Sequence, residues 1–419
     1  MRPITTANIL AIGTELLTPY RTDTNSLYLT ARLNELGIDV IGKRAVGDDV
    51  RAIEAALASA LQDADIVITS GGLGPTADDL TRDAVAAALD RPLAEDPQIV
   101  EQLRERFAKR AQPMPEINRR QAMVPRGALV LPNRRGSAPG LMIEHGDHVV
   151  VLLPGPPREL EPMFETAVRE RLAARSSGRR LRRRVIKIAG QPESTVDHIA
   201  APIYQPLAQR PVPISTTILA SPGQVELHLS ARGADMAVLD AELEDAVERL
   251  QTALGDSVFS TDGRAIEVVV GEALRMRGLT LALAESCTGG LVAGRLTDVP
   301  GSSAYIVGGV VAYANDVKRD LLGVPADLLE AHGAVSEPVA AAMARGVRRV
   351  LRSDLGVAVT GIAGPDGGTA EKPVGTVCFS VSGPGEQVTT MTRVVPGDRQ
   401  LIRQWSVMVA LDLVRRALR

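Results

Sequence analysis

Two periods of apolar residues organise the first third of the chain. Asn8–Ile12 is a short apolar run ending at Gly13-Thr14-Glu15, Asn25–Leu36 has helical spacing and stops at Gly37, and Ile38–Ile41 is rich in β-formers. Val50–Leu61 is again helical. Ala64–Thr69 is a continuous apolar run that enters Ser70-Gly71-Gly72-Leu73-Gly74-Pro75-Thr76, and Asp78–Leu89 predicts a third helix. Apolar strands alternating with amphipathic helices predict a parallel sheet covered on both faces. Ligands on such sheets bind beyond the carboxyl ends of the strands, where Gly13-Thr14-Glu15 and the Gly71 loop fall.

Further along, Pro113–Pro157 is rich in Pro, Gly and Asn around the strand-like pieces Ala128–Leu131 and Val149–Leu153. Apolar strands interrupt it, so it predicts binding-site loops and not a linker. Glu159–Ala174 predicts a helix, and Arg175–Arg184 marks a boundary. Val185–Ala189, Ser194–Gln209, Val212–Leu219, Gln224–Ser230 and Asp235–Leu254 then predict a β-α-β-β-α module. From Arg264 the rhythm is helix, strand, glycine turn, helix, repeated up to a final helix over Arg399–Leu418. The expected class is α/β, with domains at 1–175, 180–256 and 262–419.

Composition narrows the function more than the fold. The net charge of −3 over 419 residues leaves no electrostatic footprint for nucleic acid or an anionic membrane, and 2% aromatic residues give little to stack bases on. Two cysteines, Cys287 and Cys378, make neither a disulfide framework nor a metal cluster, which points to a reducing cytoplasm. No basic leader with a long apolar run opens the chain. Cationic charge is mostly arginine, the lysines being Lys43, Lys109, Lys187, Lys318 and Lys372. Arginine stays protonated whereas lysine can be tuned into a base, so a lysine near a candidate site carries extra weight.

Chemistry concentrates in a few glycine-rich turns. In LALAESCTGGLVAGRL, Leu281–Leu296, an apolar strand hands over through Glu285-Ser286-Cys287-Thr288-Gly289-Gly290 to a helical segment. A hydroxyl there would sit beside unpaired N–H groups at a positive helix end, a place for an oxyanion or a phosphate, though a capping serine explains the same residue. GGLGPTADDLT, Gly71–Thr81, pairs three glycines with Asp78 and Asp79. The acids suit a divalent cation bridging to a pyrophosphate, or a helix whose first turn they occupy behind a Thr76 cap. Val46-Gly47-Asp48-Asp49 adds a second acidic pair with the same two readings.

GTELL at Gly13–Leu17, VGDD at Val46–Asp49 and GGLGPTADDLT resemble the molybdopterin-binding fold of molybdenum-cofactor biosynthesis proteins. Together with NRRQAMVPRGALVLPN (Asn118–Asn133), SAPGL (Ser137–Leu141) and LPGPPRELEPMF (Leu153–Phe164), the pattern is similar to the CinA family of competence/damage-inducible proteins over essentially the whole chain. For the first domain the resemblance implies an ADP-ribose pyrophosphatase using a divalent ion (Mg, Mn or Co). Its site would include Gly13, Glu15, Gly71, Gly72, Gly74, Thr76, Thr81, Asn118, Gln121, Pro154 and Gly155, with Asp48, Asp78 and Asp79 at the metal. The middle module resembles a KH-type domain but lacks the GxxG backbone clamp, so a scaffold role is expected.

AESCTGG (Ala284–Gly290), VVAYANDVKRDLLGV (Val310–Val324) and AVTGIAGPDGG (Ala358–Gly368) resemble the nicotinamide-nucleotide amidohydrolase domain. The implied reaction is hydrolysis of nicotinamide mononucleotide (NMN) to nicotinic acid mononucleotide and ammonia, without a cofactor. A serine nucleophile with a base and an oxyanion hole is the simplest route to that hydrolysis. Ser286 is the candidate nucleophile, with Cys287 as rival, and Lys318 is the base, alone or through Tyr313. Thr360, Gly361 and Gly364 would orient the amide, Thr288, Gly289 and Gly290 the turn, and Arg399 and Arg403 the phosphate. The expected partners are small nucleotides and a second copy of the chain, with no nucleic acid. The rival readings are a molybdopterin-binding protein and a non-enzymatic recombination factor.

Overall fold

A computed structural model describes residues 2–419, and the chain divides into two compact units. The first comprises 1–181 with 232–236, and the second 182–231 with 237–419.

In the first unit the strands are β1 (Thr6–Ile12), β2 (Asp39–Val46), β3 (Ile66–Ser70), β4 (Leu93–Glu95), β5 (Met123–Pro125), β6 (Leu129–Leu131), β7 (Gly140–His145) and β8 (His148–Leu153). The main sheet runs β2-β1-β3-β8-β7-β6, and its four members β2, β1, β3 and β8 are parallel. Every residue of β3 is buried, as a central strand covered on both faces requires. One apolar cluster, with Leu29, Leu33, Phe164 and Leu172, covers one face; another, with Ile53, Leu57, Val85 and Leu89, covers the other. The sheet is mixed and not wholly parallel, because β7 and β8 are joined across Gly146-Asp147 and so short a link allows only antiparallel pairing. The helix expected over Asp78–Leu89 spans only Thr81–Ala88 and has Leu80 at its N-cap. Thr76 therefore caps no helix, and Asp78 and Asp79 lie in the loop before it.

The second unit opens with a four-stranded sheet made from β9 (Arg180–Ala189), β10 (Ile214–Ser221), β11 (Gln224–Gly233) and β12 (Val258–Ser260), in the order β10-β11-β9-β12. The basic run ahead of Val185 is thus the start of a strand, where Arg184 pairs with Asp240 at 3.1 Å. A five-stranded sheet follows, from β13 (Leu281–Glu285), β14 (Ile306–Val311), β15 (Leu355–Gly361), β16 (Thr376–Ser382) and β17 (Val388–Val394), in the order β14-β13-β15-β16-β17. β14, β13 and β15 are parallel, while β16 and β17 turn back antiparallel before the last helix, Arg399–Ala417. β13 is buried throughout and delivers Ser286 at its carboxyl end.

A carboxylate sets the register of the first sheet. Oδ2 of Asp65, just ahead of β3, accepts from the N–H and hydroxyl of Thr5 at 2.7 Å each, and from those of Thr6 at 3.0 and 3.1 Å. Burial raises its pKa, but the hydrogen bonds from Thr5 and Thr6 outweigh burial and hold it below the ordinary carboxylate value. A depressed folded-state pKa contributes stability that is complete above the unfolded value of about 3.9. That contribution is lost as the pH falls through the folded value. Asp65→Asn is expected to lose about 1–3 kcal/mol in urea unfolding at pH 7. The gap from the parent protein should close on acidification below about pH 4, and a gap independent of pH would refute the assignment.

Candidate functional site

Two sites emerge, one in each unit, at the carboxyl ends of parallel strands. In the second unit Ser286 is 8% exposed, and the Lys318 Nζ lies 3.3 Å from its Oγ. Lys318 belongs to the short helix Asn315–Asp320, is 1% exposed, and also donates to the carbonyl oxygens of Ala312 at 2.9 Å and Tyr313 at 3.2 Å. Among the described residues no carboxylate pairs with it. Burial lowers its pKa. A lysine surrounded by neutral oxygens and stripped of water is pushed toward the free amine, the form able to take a proton.

Cys287, the rival nucleophile, is buried, and burial pushes its thiol up to about 12, which leaves it protonated and inert. Tyr313 makes no hydrogen bond through its hydroxyl to Lys318 or Ser286 among the described residues. Its side chain is 58% exposed and its hydroxyl accepts from Arg399 at 2.8 Å, while only its backbone carbonyl meets Lys318.

The helix end beside Ser286 differs from expectation. Glu285, buried at the end of β13, accepts from the N–H groups of Gly290, Val292 and Ala293 at 2.9, 3.1 and 2.8 Å. Gly289 N–H donates to the Ser286 carbonyl. Neither Gly289 nor Gly290 therefore presents an amide to a ligand. The N–H groups of Cys287 and Thr288 meet no backbone oxygen among the described residues and lie against the Cys287 sulfur, a weak acceptor. The Thr288 hydroxyl is buried without a hydrogen-bond partner.

The last helix braces this turn. Arg403 donates to the carbonyls of Cys287 at 3.1 Å and Thr288 at 3.0 Å, and Arg399 donates to the Gly364 carbonyl and the Tyr313 hydroxyl, each at 2.8 Å. Both guanidinium groups thus hold loops, with part of each fork left over for a ligand. Thr360 does not face the reacting atoms through its hydroxyl, which donates to the Ala334 carbonyl at 2.8 Å. Gly361 packs its backbone against Val377 and Thr376, where no side chain fits.

In the first unit a cleft of about 850 Å³ gathers Gly13, Glu15, Gly71, Gly72, Gly74, Gln121, Pro154 and Gly155 with Asp48, Asp78 and Asp79. Gly71, at φ 108°, approaches the Ile12 carbonyl so closely that a Cβ would stand 2.1 Å from it. Thr76, Thr81 and Asn118 are not part of the lining, and two of them support it. Thr81 donates to the Gly71 carbonyl at 2.8 Å, and Asn118 donates to Gln121, which in turn donates to Ser137. Asp79 clamps the loop from inside by accepting from the N–H of Gly74, the N–H of Thr76 and the Thr76 hydroxyl. Asp48 accepts from Thr14 N–H at 2.7 Å. Asp78 is exposed on the same loop and lines the cleft.

Sequence reasoning missed two supports of this cleft. Asn25 donates to Ser70 and to the Gly155 carbonyl at 2.8 and 2.7 Å, tying the ends of β3 and β8 together. Arg82 is buried and donates to the carbonyls of Leu73 and Arg120; burial brings it down to about 10. Its only trace in the sequence is a charge on the helix face that otherwise carries Ala84 and Val85.

No group of three or more His, Cys, Asp or Glu side chains among the described residues forms a preassembled metal cage. The carboxylates of the cleft fit the other mode, in which one or two acids and the phosphates of a substrate share a hard cation.

A family model described as the CinA C-terminal domain matches residues 263–418, and one described as a probable molybdopterin binding domain matches residues 8–174. A "CinA-like protein" of Koribacter versatilis is 48% identical over 98% of this chain and 99% of its own. A "Putative competence-damage inducible protein" of Symbiobacterium thermophilum is also 48% identical, over 98% of each. The solved competence/damage inducible protein CihA from Agrobacterium tumefaciens matches 36% of this chain and 93% of its own, at 44% identity and a TM-score of 0.36. At this identity over nearly full length, the chain belongs to the CinA family.

Proposed function

We propose that the second unit is an amidase that converts NMN to nicotinic acid mononucleotide and ammonia. The observation that carries this is the buried amine of Lys318, with no carboxylate partner, 3.3 Å from the Ser286 hydroxyl. The neutral amine takes the Oγ proton as Oγ bonds to the carboxamide carbon. The charge that develops on the amide oxygen meets the N–H groups of Cys287 and Thr288. The C–N bond then breaks, and the Lys318 ammonium returns its proton to the departing ammonia. Water, deprotonated by the same amine, cleaves the acyl-serine and restores the hydroxyl. The nicotinamide substrate itself rests on the motifs around Ser286, Lys318 and Thr360.

For the first unit we infer binding and hydrolysis of ADP-ribose at its pyrophosphate. Backbone of the Gly13 and Gly71 loops would approach the phosphates, and Asp78 with Asp48 would hold a divalent cation, whose contribution is to neutralise phosphate charge. The matched description of this domain favours a second reading, a pterin phosphate as ligand in the same cleft. Release of AMP from ADP-ribose separates the two. The protein is taken to act as a homodimer in the cytoplasm, without nucleic acid. The absence of a helix long and apolar enough to cross a membrane, among the described residues, agrees with that placement.

Ser286→Ala is expected to lower ammonia release from NMN by at least about a thousandfold, and activity near the parent level would exclude the nucleophile. Lys318→Arg keeps the charge but cannot accept a proton, so kcat should fall by about 10²–10⁴. The parent kcat/KM should rise with pH as the amine deprotonates, and level off below the ordinary lysine value of about 10.4. An acid limb surviving in Lys318→Arg would assign the base elsewhere. In the first unit, Asp78→Asn should cut divalent-dependent AMP release by about tenfold or more, with chelator abolishing it in the parent protein.

A further inference from the structure

Beside the cleft of the first unit, and sharing Ser137 and Glu159 with it, lies a recess of about 180 Å³ lined by Arg106, Arg110, Arg135 and Arg158. None of these four arginines makes an ion pair with a carboxylate among the described residues. Others in the same unit are matched: Arg119 with Glu95 at 2.7 Å, Arg120 with Asp83 at 3.3 Å and Arg169 with Glu165 at 3.0 Å. Four like charges lining one concavity repel each other unless an anion joins them.

The backbone around the recess is held in place, while Arg110, Arg135 and Arg158 are exposed and Arg106 is half-buried. Arg106 stands near the end of the helix Pro97–Ala108, and Arg110 follows it one turn later. Asn133 accepts from the N–H groups of Arg135 and Gly136 at 3.0 and 2.6 Å, which fixes the turn that carries Arg135. The one carboxylate in the lining, Glu159, accepts from Asn133 Nδ2 at 2.8 Å and is thereby part of the same scaffold. Arg158 lies in the first turn of the helix Pro157–Met163, directly after the Pro154-Gly155 stretch that lines the cleft. Guanidinium forks match phosphate oxygens two at a time, which favours a phosphoryl group over a diffuse anion.

We propose that this recess is a phosphate subsite of the cleft, and that the preferred ligand is an ADP-ribose-type pyrophosphate carrying one further phosphoryl group on ribose. The pyrophosphate lies against the Gly13 and Gly71 loops, and the added phosphoryl among the four arginines. The assignment rests on the nucleotide reading of the first unit and adds to it a substrate class.

The test is calorimetric titration of the full-length protein with ADP-ribose and with its 2′-phosphate, in chelator and in Ca²⁺, so that binding is read without turnover. The phosphorylated nucleotide should bind tighter by about tenfold or more, with the steeper salt dependence. Arg110→Gln and Arg158→Gln should remove that advantage and leave ADP-ribose affinity within about twofold. Inorganic phosphate should compete with the phosphorylated ligand more strongly than with ADP-ribose. Equal parent affinities, or equal losses in the variants, would overturn the subsite while leaving the nucleotide reading intact. Phosphate that strengthens ADP-ribose binding would make the recess a site for the free ion and overturn the substrate assignment. Binding of neither nucleotide would overturn both.

Discussion

The chemistry of the second unit depends on keeping an amine and a carboxylate apart although both are buried beside the same serine. Glu285 immediately precedes Ser286, and a lysine at such a site would ordinarily find it as a counter-ion. The fold removes that option by folding the segment after Ser286 back over Glu285, so that Gly290, Val292 and Ala293 give the carboxylate their N–H groups. The acid is satisfied by the positive helix end, and Lys318 is left with the carbonyls of Ala312 and Tyr313. An amine next to a carboxylate would hold its proton and could not serve as a base, whereas one among neutral oxygens gives it up readily. The helix end expected to serve a ligand is thus occupied by the side chain of Glu285, and that occupation leaves Lys318 without a carboxylate partner among the described residues.

Both units set their site-bearing strands in the same way. Asp65, one residue before β3, gathers the N–H and hydroxyl groups of Thr5 and Thr6 at the start of β1. Asp354, one residue before β15, does the same for Thr280 ahead of β13, accepting at 2.8 and 2.7 Å. In each case a carboxylate locks the amino ends of two adjacent parallel strands, β1 with β3 and β13 with β15. With the amino ends in register, the carboxyl ends emerge side by side, and there the Gly13 and Gly71 loops or the Ser286 turn are placed. Hydrogen bonds from charged groups are among the stronger ones in a folded chain, which suits them to fix a register that periodicity alone leaves loose.

How much of this was legible follows from what spacing can and cannot encode. The apolar runs before Gly13, Gly71 and Ser286 marked three central strands, because burial on both faces demands uninterrupted apolar residues. Ser286 and Lys318 were found through the motifs that hold them, and the structure brings them to 3.3 Å although 32 residues separate them in the chain. Asp78 and Asp79 were misplaced because a helix start was read at the first favourable cap, while the true start waits for Thr81. Of the antiparallel strands, β6 was legible in Ala128–Leu131, while β7, β16 and β17 lie among glycine turns that give no separate signal for them. Arg82 and Asn25 left almost no trace, since a polar side chain turned inward onto carbonyls looks in sequence like one turned out to water.

Arg399 and Arg403 show most clearly what spacing alone leaves out. At four residues apart near the start of a long helix they lie on one face, and a phosphate seems a natural common target. In the fold the two forks diverge. Arg403 takes the carbonyls of two successive peptides, Cys287–Thr288 and Thr288–Gly289, and Arg399 links the Gly364 loop to Tyr313. Holding those carbonyls fixes the planes of the peptides that carry the Thr288 and Gly289 N–H groups, and the Thr288 N–H is one of the two donors proposed for an oxyanion. A lysine could reach one such carbonyl but not hold two at a fixed angle, so the planar fork is what the turn requires. The arginines therefore orient the backbone around Ser286, and any charge they offer a ligand comes from the N–H groups left over.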